Sequence, residues 1–562
     1  MNDPFTGELS AGHFVPLVDV DRVEVIRGAG STMYGANAFS GVVNVVTRDP
    51  VDLTADEGVR ARAGLGSDRT SRLQLGGDQA LGPAHVGASV ESFRTDGPFP
   101  LVERATPQGP DVFKNDDVQS LSAEAHLAWQ GVQVRGQLVT GDRGKPGTFI
   151  TDAQGLSRSC ATCHSTTESG RGEKYPATPH SCGTCHAAPH DREHTTRGNV
   201  AVLVNRYLGS GYRLGGQLYD NESRTRYTST KESDFLDLYT EQLELMQRAA
   251  GAGLNVGHSS ARNHLLVGGE LRYTAAASQL LLTPAGGTDA SMLNQAVYAE
   301  DEAHPWPWLA LVVGARGDHS SEFGFAFSPR GGVVVSPAEH VNLRLGASRA
   351  FRNPSLSELY VVERRGRYQV RGNADLAPEW ITSLELGANA AFAVGDLMLR
   401  VSSVTFHDRT TELIGIEAVA RDQATFVNGG GATVWGEELE VESELASQPR
   451  VRIGANYSYQ HAEDADGEAL PYAPSHKGNL LVTVQWAQAS LLVRGRLAGP
   501  RRDEMQIDLP GYATLDVAAR TSLGSGLGLE LAATNLGGDD HPESLGIPRA
   551  GRSFFASLTY GE

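Results

Sequence analysis

The chain has 562 residues, a formal net charge of −19, 40% hydrophobic residues and 65 glycines. So acidic a chain lacks the basic footprint that nucleic acids require, which excludes them as partners. No apolar run of about 18 residues occurs, so a membrane-spanning helix is excluded; a β-barrel is not, because its strands alternate apolar and polar residues.

The first residues, Met1 to Gly7, carry neither a basic n-region nor an apolar h-region, so no signal peptide is expected within them. Two β-branched runs follow, Val23–Ile26 and Val42–Thr47, around a segment rich in Gly, Ala, Ser and Asn. Gly28, Gly30, Gly35 and Gly41 permit sharp turns there, so the reading is strand, tight turns, strand.

After Pro50 the texture changes and persists to the end. Ser122–Trp129 and Val132–Val139 alternate in polarity and are joined by Gln130-Gly131. Leu309–Arg316, Val341–Ser348, Val451–Tyr459, Leu492–Leu497 and Leu527–Thr534 repeat the pattern. A polar residue or Gly at every second position gives each strand one face for a polar lumen and one for lipid. About 22 such segments lie between Val59 and Tyr560, the size at which barrels hold an internal plug. Connections alternate too. Ala80–Pro83, Gln130-Gly131, Gly209–Gly211, Ala393–Asp396 and Ala487-Gln488 are short, as periplasmic turns are; Asp96–Asp117, Gly144–Gly198, Arg352–Pro378 and the stretch around Asp464–Pro474 are long, as extracellular loops are. A large soluble β-sandwich array is the competing architecture, and the length of the series favours the barrel.

All four cysteines lie in the connection 144–198, as Cys160-Ala-Thr-Cys163-His164 and Cys182-Gly-Thr-Cys185-His186. Cys-x-x-Cys-His is the attachment signature of c-type haem: two thiols hold one haem and the adjacent His supplies an axial ligand. The expectation is two c-type haems, with His164 and His186 proximal and His180, His190 and His194 available as distal ligands. The same Cys spacing fits one structural zinc, and two disulfides are a further alternative. The His after each pair favours haem, since neither alternative needs it. His85, His258, His264 and His319 show no ligand spacing and read as satisfied histidines. No phosphate loop, nucleophile elbow or carboxylate pair stands out, so no enzyme active site is expected.

The stretch from Val20 to Thr47 resembles the second half of the plug domain of TonB-dependent outer-membrane receptors. Ala347–Tyr360, Gly372–Glu379 with Ser383–Gly387, Gly436–Val441, Asn535–Gly537 and the closing Pro548–Tyr560 are similar to that family's barrel. The resemblance spans essentially the whole chain except the cysteine-bearing loop, which looks like an insertion. It implies an all-β fold: an antiparallel transmembrane β-barrel of about 22 strands with a partial plug domain inside the lumen. Residues 1–50 would be the C-terminal half of the plug, 51–562 the barrel, and 144–198 the loop insertion. A signal peptide, TonB box and first plug strands are expected to precede Met1.

The resemblance further implies a monomer in the outer membrane of a Gram-negative bacterium, embedded in its lipid bilayer. A small-molecule ligand such as an iron chelate or cobalamin would bind at the extracellular face, and a TonB energy-coupling protein would be the partner of the complete chain. Arg22, Glu24, Arg27 and Arg48 are charges in a segment built for burial, so ion pairs from plug to wall are expected. Tyr34 is expected near the lumen, where it would touch ligand.

Overall fold

The computed structural model describes residues 20–39, 41–47, 58–97, 102–106, 109–113, 117–144, 150–151, 157–158, 192–232, 238–365, 368–503, 506–539, 541 and 551–561. Twenty-two strands form one closed antiparallel barrel, each hydrogen-bonded to its neighbour in sequence. Closure comes from the first strand, Gly58–Gly66, pairing with the last, Ser553–Tyr560, in the register Ala61↔Tyr560 to Gly66↔Phe555. No helix among the described residues is long and apolar enough to cross a membrane.

The side-chain pattern is inverted relative to a water-soluble sheet. On Val118–Trp129 burial alternates strictly. The covered face carries Ser120, Ser122, Glu124 and His126, whereas Leu121, Leu127 and Trp129 are exposed. Leucines at 65, 73, 218, 254, 345, 384 and 386 are likewise half-exposed or more. Polar inside and apolar outside is what lipid as the outer solvent demands.

Polar groups on the inner face bond one another across strands, as buried ones must. Arg60 pairs with Asp78, which also lies 3.0 Å from His126; Arg62 pairs with Glu530 and Gln74 with Glu91.

Connections at one end of the barrel are short, including Gly82-Pro83, Gln130-Gly131, Ser210-Gly211 and Ala487-Gln488. The other end carries the long ones, including 96–117, 145–191, 353–378 and 412–430. That end is extracellular by the length rule. The expected cysteine-bearing insertion is shorter than 144–198, because Gly144 closes one strand (Val132–Gly144) and Arg192–Gly209 forms the next. The adjoining hairpin, Tyr212–Glu232 and Leu238–Ser259, has the tallest strands, at 21 and 22 residues. Leu527–Thr534 and Ser553–Tyr560 have only 8.

Within the barrel lies a hairpin, β1 (Val20–Arg27) and β2 (Gly41–Thr47), paired in the register Val23↔Val45, Val25↔Val43 and Arg27↔Gly41. A single helical turn, α1 (Ser31–Tyr34), forms its apex. Gly28 and Gly35 bracket that turn at φ +78° each, a conformation in which a side chain would be strained.

Candidate functional site

The apex of the hairpin presses on the inner wall in the extracellular half of the barrel. Ser31 is fully buried and Thr32 is 1% exposed. Thr32 Oγ1 donates to the Ser328 carbonyl at 3.1 Å, the Phe351 amide donates to Ser31 Oγ at 3.3 Å, and the Asn37 amide donates to the Phe351 carbonyl at 3.2 Å. The wall beneath is ionic. Arg316, with its side chain 4% exposed, bonds Glu270 at 3.0 Å and Asp318 at 2.9 Å. A Cβ on Gly35 would lie 2.8 Å from Arg316 Nη2, so only glycine lets the apex settle on this cluster. Gly28 approaches Glu385 just as closely. The plug is thus joined to the wall by backbone and hydroxyl hydrogen bonds.

The expected ion pairs from plug to wall are corrected for two residues. Arg22 and Glu24 bond each other at 2.8 Å, Arg22 also bonds Asp21 at 2.8 Å, and Asn44 donates to Glu24 at 3.0 Å. Residues two apart on a strand share a face, so the nearest countercharge was on the same strand. The Asn44 amide, then the Arg22 guanidinium, holds the Glu24 carboxyl below its usual range. The Arg27 side chain and Arg48 lie outside the description. Tyr34 is 46% exposed at the end of α1.

Above the apex, extracellular segments fold inward over the wall. The helix α2 (Leu356–Tyr360) is capped by Ser355, whose hydroxyl accepts from the Glu358 amide while Glu358 accepts from the Ser355 amide. A four-stranded sheet joins Val362–Arg365, Tyr368–Arg371, Gln423–Asn428 and Ile414–Ala420. Leu356, Val361, Val370 and Ala424 from these segments pack with Leu245, Ala276 and Met292 of the wall and with Leu281 into one apolar core. Tyr360 donates to Glu322 at 2.6 Å. Burial, then that carboxylate, pushes the phenol above its usual range, so it keeps its proton. The result is a roof of extracellular segments packed on the wall. Sequence reasoning missed this roof, whose parts are far apart in the chain.

Arg352 ties the roof to the barrel, bonding Glu358 at 3.0 Å and Glu379 at 2.7 Å. Arg352→Ala would leave two largely covered carboxylates facing each other, a loss of about 3 kcal/mol for a broken buried pair. Amide hydrogen exchange over residues 356–361 should accelerate accordingly. Unchanged protection there would show that the apolar core alone fixes the roof.

Of the expected haem ligands, only His194 is described. It stands on the strand Arg192–Gly209, on the outward face shared with Val200, and its Nδ1 lies 3.0 Å from Asp142 on the adjacent strand. Nε2 is 3.5 Å from Thr196 Oγ1. Cys160, Cys163, His164, His180, Cys182, Cys185, His186 and His190 lie outside the described residues, so the structure is silent on them. Among the described residues no cluster of three metal-ligating side chains occurs.

Comparison with known proteins agrees with this architecture. A ferric enterobactin receptor, PirA, of Pseudomonas aeruginosa is 26% identical over 419 residues, which cover 67% of this chain and 53% of that protein. The chain therefore spans about half the length of that relative. The vitamin B12 transporter BtuB of Photobacterium profundum is 22% identical, with 97% of this chain and 80% of that protein covered. Among solved structures, the ferric-catecholate import receptor Fiu of E. coli K12 superposes with a TM-score of 0.73 at 16% identity, over 97% of this chain and 86% of that one. The FrpB iron transporter of Neisseria meningitidis gives 0.73 at 16% identity, over 97% and 88%. Residues 173–536 match the family model described as TonB dependent receptor-like, beta-barrel, and the chain belongs to that family of Gram-negative outer-membrane proteins.

Proposed function

We propose that this chain captures a bulky, scarce nutrient at the cell surface, an iron chelate or a cobalamin, and admits it to the periplasm when a TonB protein pulls on the plug. The observation that carries this reading is the plug apex lodged against the inner wall, held by a few hydrogen bonds that force can release. A net intramolecular hydrogen bond contributes only about 1 kcal/mol. The relatives named for ferric enterobactin and vitamin B12 give the two ligand classes to try first. Titrating the purified barrel with ferric enterobactin and with cyanocobalamin should give saturable quenching of tryptophan fluorescence by one of them. Tyr34→Ala should weaken that binding about tenfold, roughly 1.4 kcal/mol. If neither ligand binds, the receptor reading fails and a non-transporting sensor barrel takes its place.

The two Cys-x-x-Cys-His motifs favour a second component to this reading: a surface module carrying two c-type haems, with a single structural zinc as the alternative occupant. His164 and His186 would be proximal ligands, and His180, His190 and His194 candidates for the distal positions. His194 would ligate through Nε2, since Asp142 takes its Nδ1. With two histidines on each iron no coordination site stays open, so the haems would pass electrons. They would either reduce a bound ferric chelate before uptake or make the barrel a scaffold for surface electron transfer.

A further inference from the structure

The wall that flanks the cysteine-bearing connection has two faces of different character. No register shift interrupts the pairing of Arg192–Gly209 with Val132–Gly144, or with Tyr212–Glu232 as far as Tyr207, so side chains alternate strictly from Arg192 to Val204. Val200, 54% exposed, marks the lipid-facing parity, and Gly198, Thr196, His194 and Arg192 continue that face toward the extracellular end. None of these four is an apolar side chain, so the strand leaves the hydrocarbon near Val200. His194 stands about 20 Å further along it. The inner face at the same height is filled. Glu193 accepts from Arg143 at 3.0 Å, Thr195 and Thr225 bond each other at 3.1 Å, and Glu193, Thr195 and Thr225 are buried.

On the outer face His194 is arranged as a metal ligand. Asp142 is its cross-strand neighbour on one side and Arg226 on the other. Asp142 lies 3.0 Å from Nδ1, and a carboxylate there accepts the Nδ1 hydrogen, which leaves the lone pair on Nε2. Metal-bound histidines carry such a carboxylate on the other ring nitrogen, where it fixes the tautomer and raises the basicity of the ligating atom. The imidazole is 44% exposed, so Nε2 is open to a ligand outside the barrel. Its contact with Thr196 Oγ1, at 3.5 Å, is at the limit of a hydrogen bond, and Thr196 has Thr140 at 3.2 Å instead. Arg226 reaches Glu244 only at 3.8 Å, because that carboxylate is bonded to Arg224. An anionic group beside the ring would meet the Arg226 guanidinium.

We propose that His194 is an axial ligand, through Nε2, of a c-type haem that stands on the outer side of the wall with a propionate beside Arg226. This placement rests on the haem reading of the two Cys-x-x-Cys-His motifs. Cys185 precedes His194 by nine residues, a span of at most about 30 Å, so a haem on the second motif is within reach of the ring. The wall separates such a haem from the lumen. It faces partners outside the barrel and not a chelate within it. Of the two roles open to the haems, surface electron transfer is the one this geometry favours.

The test uses the full chain expressed with a cytochrome c maturation system, and heat-modifiable migration verifies that each barrel is folded. The parent should carry two covalent haems, both low-spin, as two histidines on each iron require. His194→Ala should keep both haems attached and convert one of them to the high-spin form, and added imidazole should restore it. Asp142→Asn should leave both low-spin and raise the reduction potential of that same haem, because its ligand becomes less basic. Position is read with a nitroxide on an introduced thiol, since the native cysteines are held in thioethers. Gly198→Cys, where a Cβ meets nothing within 4 Å, labels the outer face, and Asn199→Cys labels the inner one. The ferric haem should relax the outer label faster than the inner. Two covalent haems that both stay low-spin in His194→Ala, or equal relaxation of the two labels, overturn the proposal and leave the haem reading standing. A parent without covalent haem overturns that reading and the proposal with it.

Discussion

Gly35→Val is expected to open the barrel. Gly35 sits at φ +78°, where a β-branched residue is strained by roughly 1–2 kcal/mol, and its Cβ would also meet Arg316 at 2.8 Å. Arg316 cannot swing aside cheaply, because Glu270 and Asp318 hold it in a site almost closed to solvent. Breaking such a pair costs about 3–5 kcal/mol. The opposing anchorage is three hydrogen bonds from Ser31, Thr32 and Asn37, about 1 kcal/mol each. Strain plus clash matches or exceeds that anchorage, so the apex should leave the wall while the barrel, closed by its own ladder, stays folded. In planar bilayers the variant should show open-channel conductance where the parent shows little, and protease entering from the periplasmic side should cut between residues 28 and 39. Gly429→Val, whose Cβ would meet nothing within 4 Å, is the control and should behave as the parent. Gly35→Ala combined with Arg316→Ala should recover part of the closure, because it removes the clash and leaves the backbone strain. A closed, protease-resistant Gly35→Val barrel would mean that the hairpin is held elsewhere.

What was legible in the sequence was whatever depends on near neighbours. Alternation along Ser122–Trp129 and its counterparts is a local property, and it was enough for the strand count, for the inverted polarity and for the sidedness given by connection length. The hairpin from Val20 to Thr47 was legible for the same reason. Contacts between distant segments were not. Leu281, Leu356, Val370 and Ala424 meet in the roof only because separate loops fold inward over the same wall, and nothing periodic marks them. The charges on β1 were misread in direction: burial was anticipated, but the strand period gave Arg22 a partner two residues away before any wall carboxylate. Arg316 reads in the sequence as one lumenal charge among many; its role beneath Gly35 appears only when plug and wall are together.

The other large effect expected is spectroscopic. Expressed together with a cytochrome c maturation system, the full chain should carry two haems that survive acid-acetone extraction, with the reduced absorption bands of the c type. Covalent attachment is the discriminating property: each Cys pair forms thioethers to one haem, so extraction that strips non-covalent haem leaves these in place. Cys160→Ala/Cys163→Ala and Cys182→Ala/Cys185→Ala should each remove one haem, and all four substitutions both. His164→Ala or His186→Ala should keep the covalent bonds of any haem that is attached but alter its spin state, since the proximal ligand is lost. Zinc makes the opposite prediction. Elemental analysis would then find about one zinc per chain, no c-type spectrum, and loss of the metal on substituting either Cys pair, because a four-thiolate site needs both. Disulfides would give neither chromophore nor metal. The barrel is unaffected in every case, because the two strands that flank this connection, Val132–Gly144 and Arg192–Gly209, pair with each other from Arg192↔Gly144 to Val204↔Val132. Ligand binding by the four-cysteine variant can therefore be measured on an intact receptor. Retained binding with lost growth on a ferric chelate would assign the haems to reducing bound iron. Retained growth would separate electron transfer from uptake.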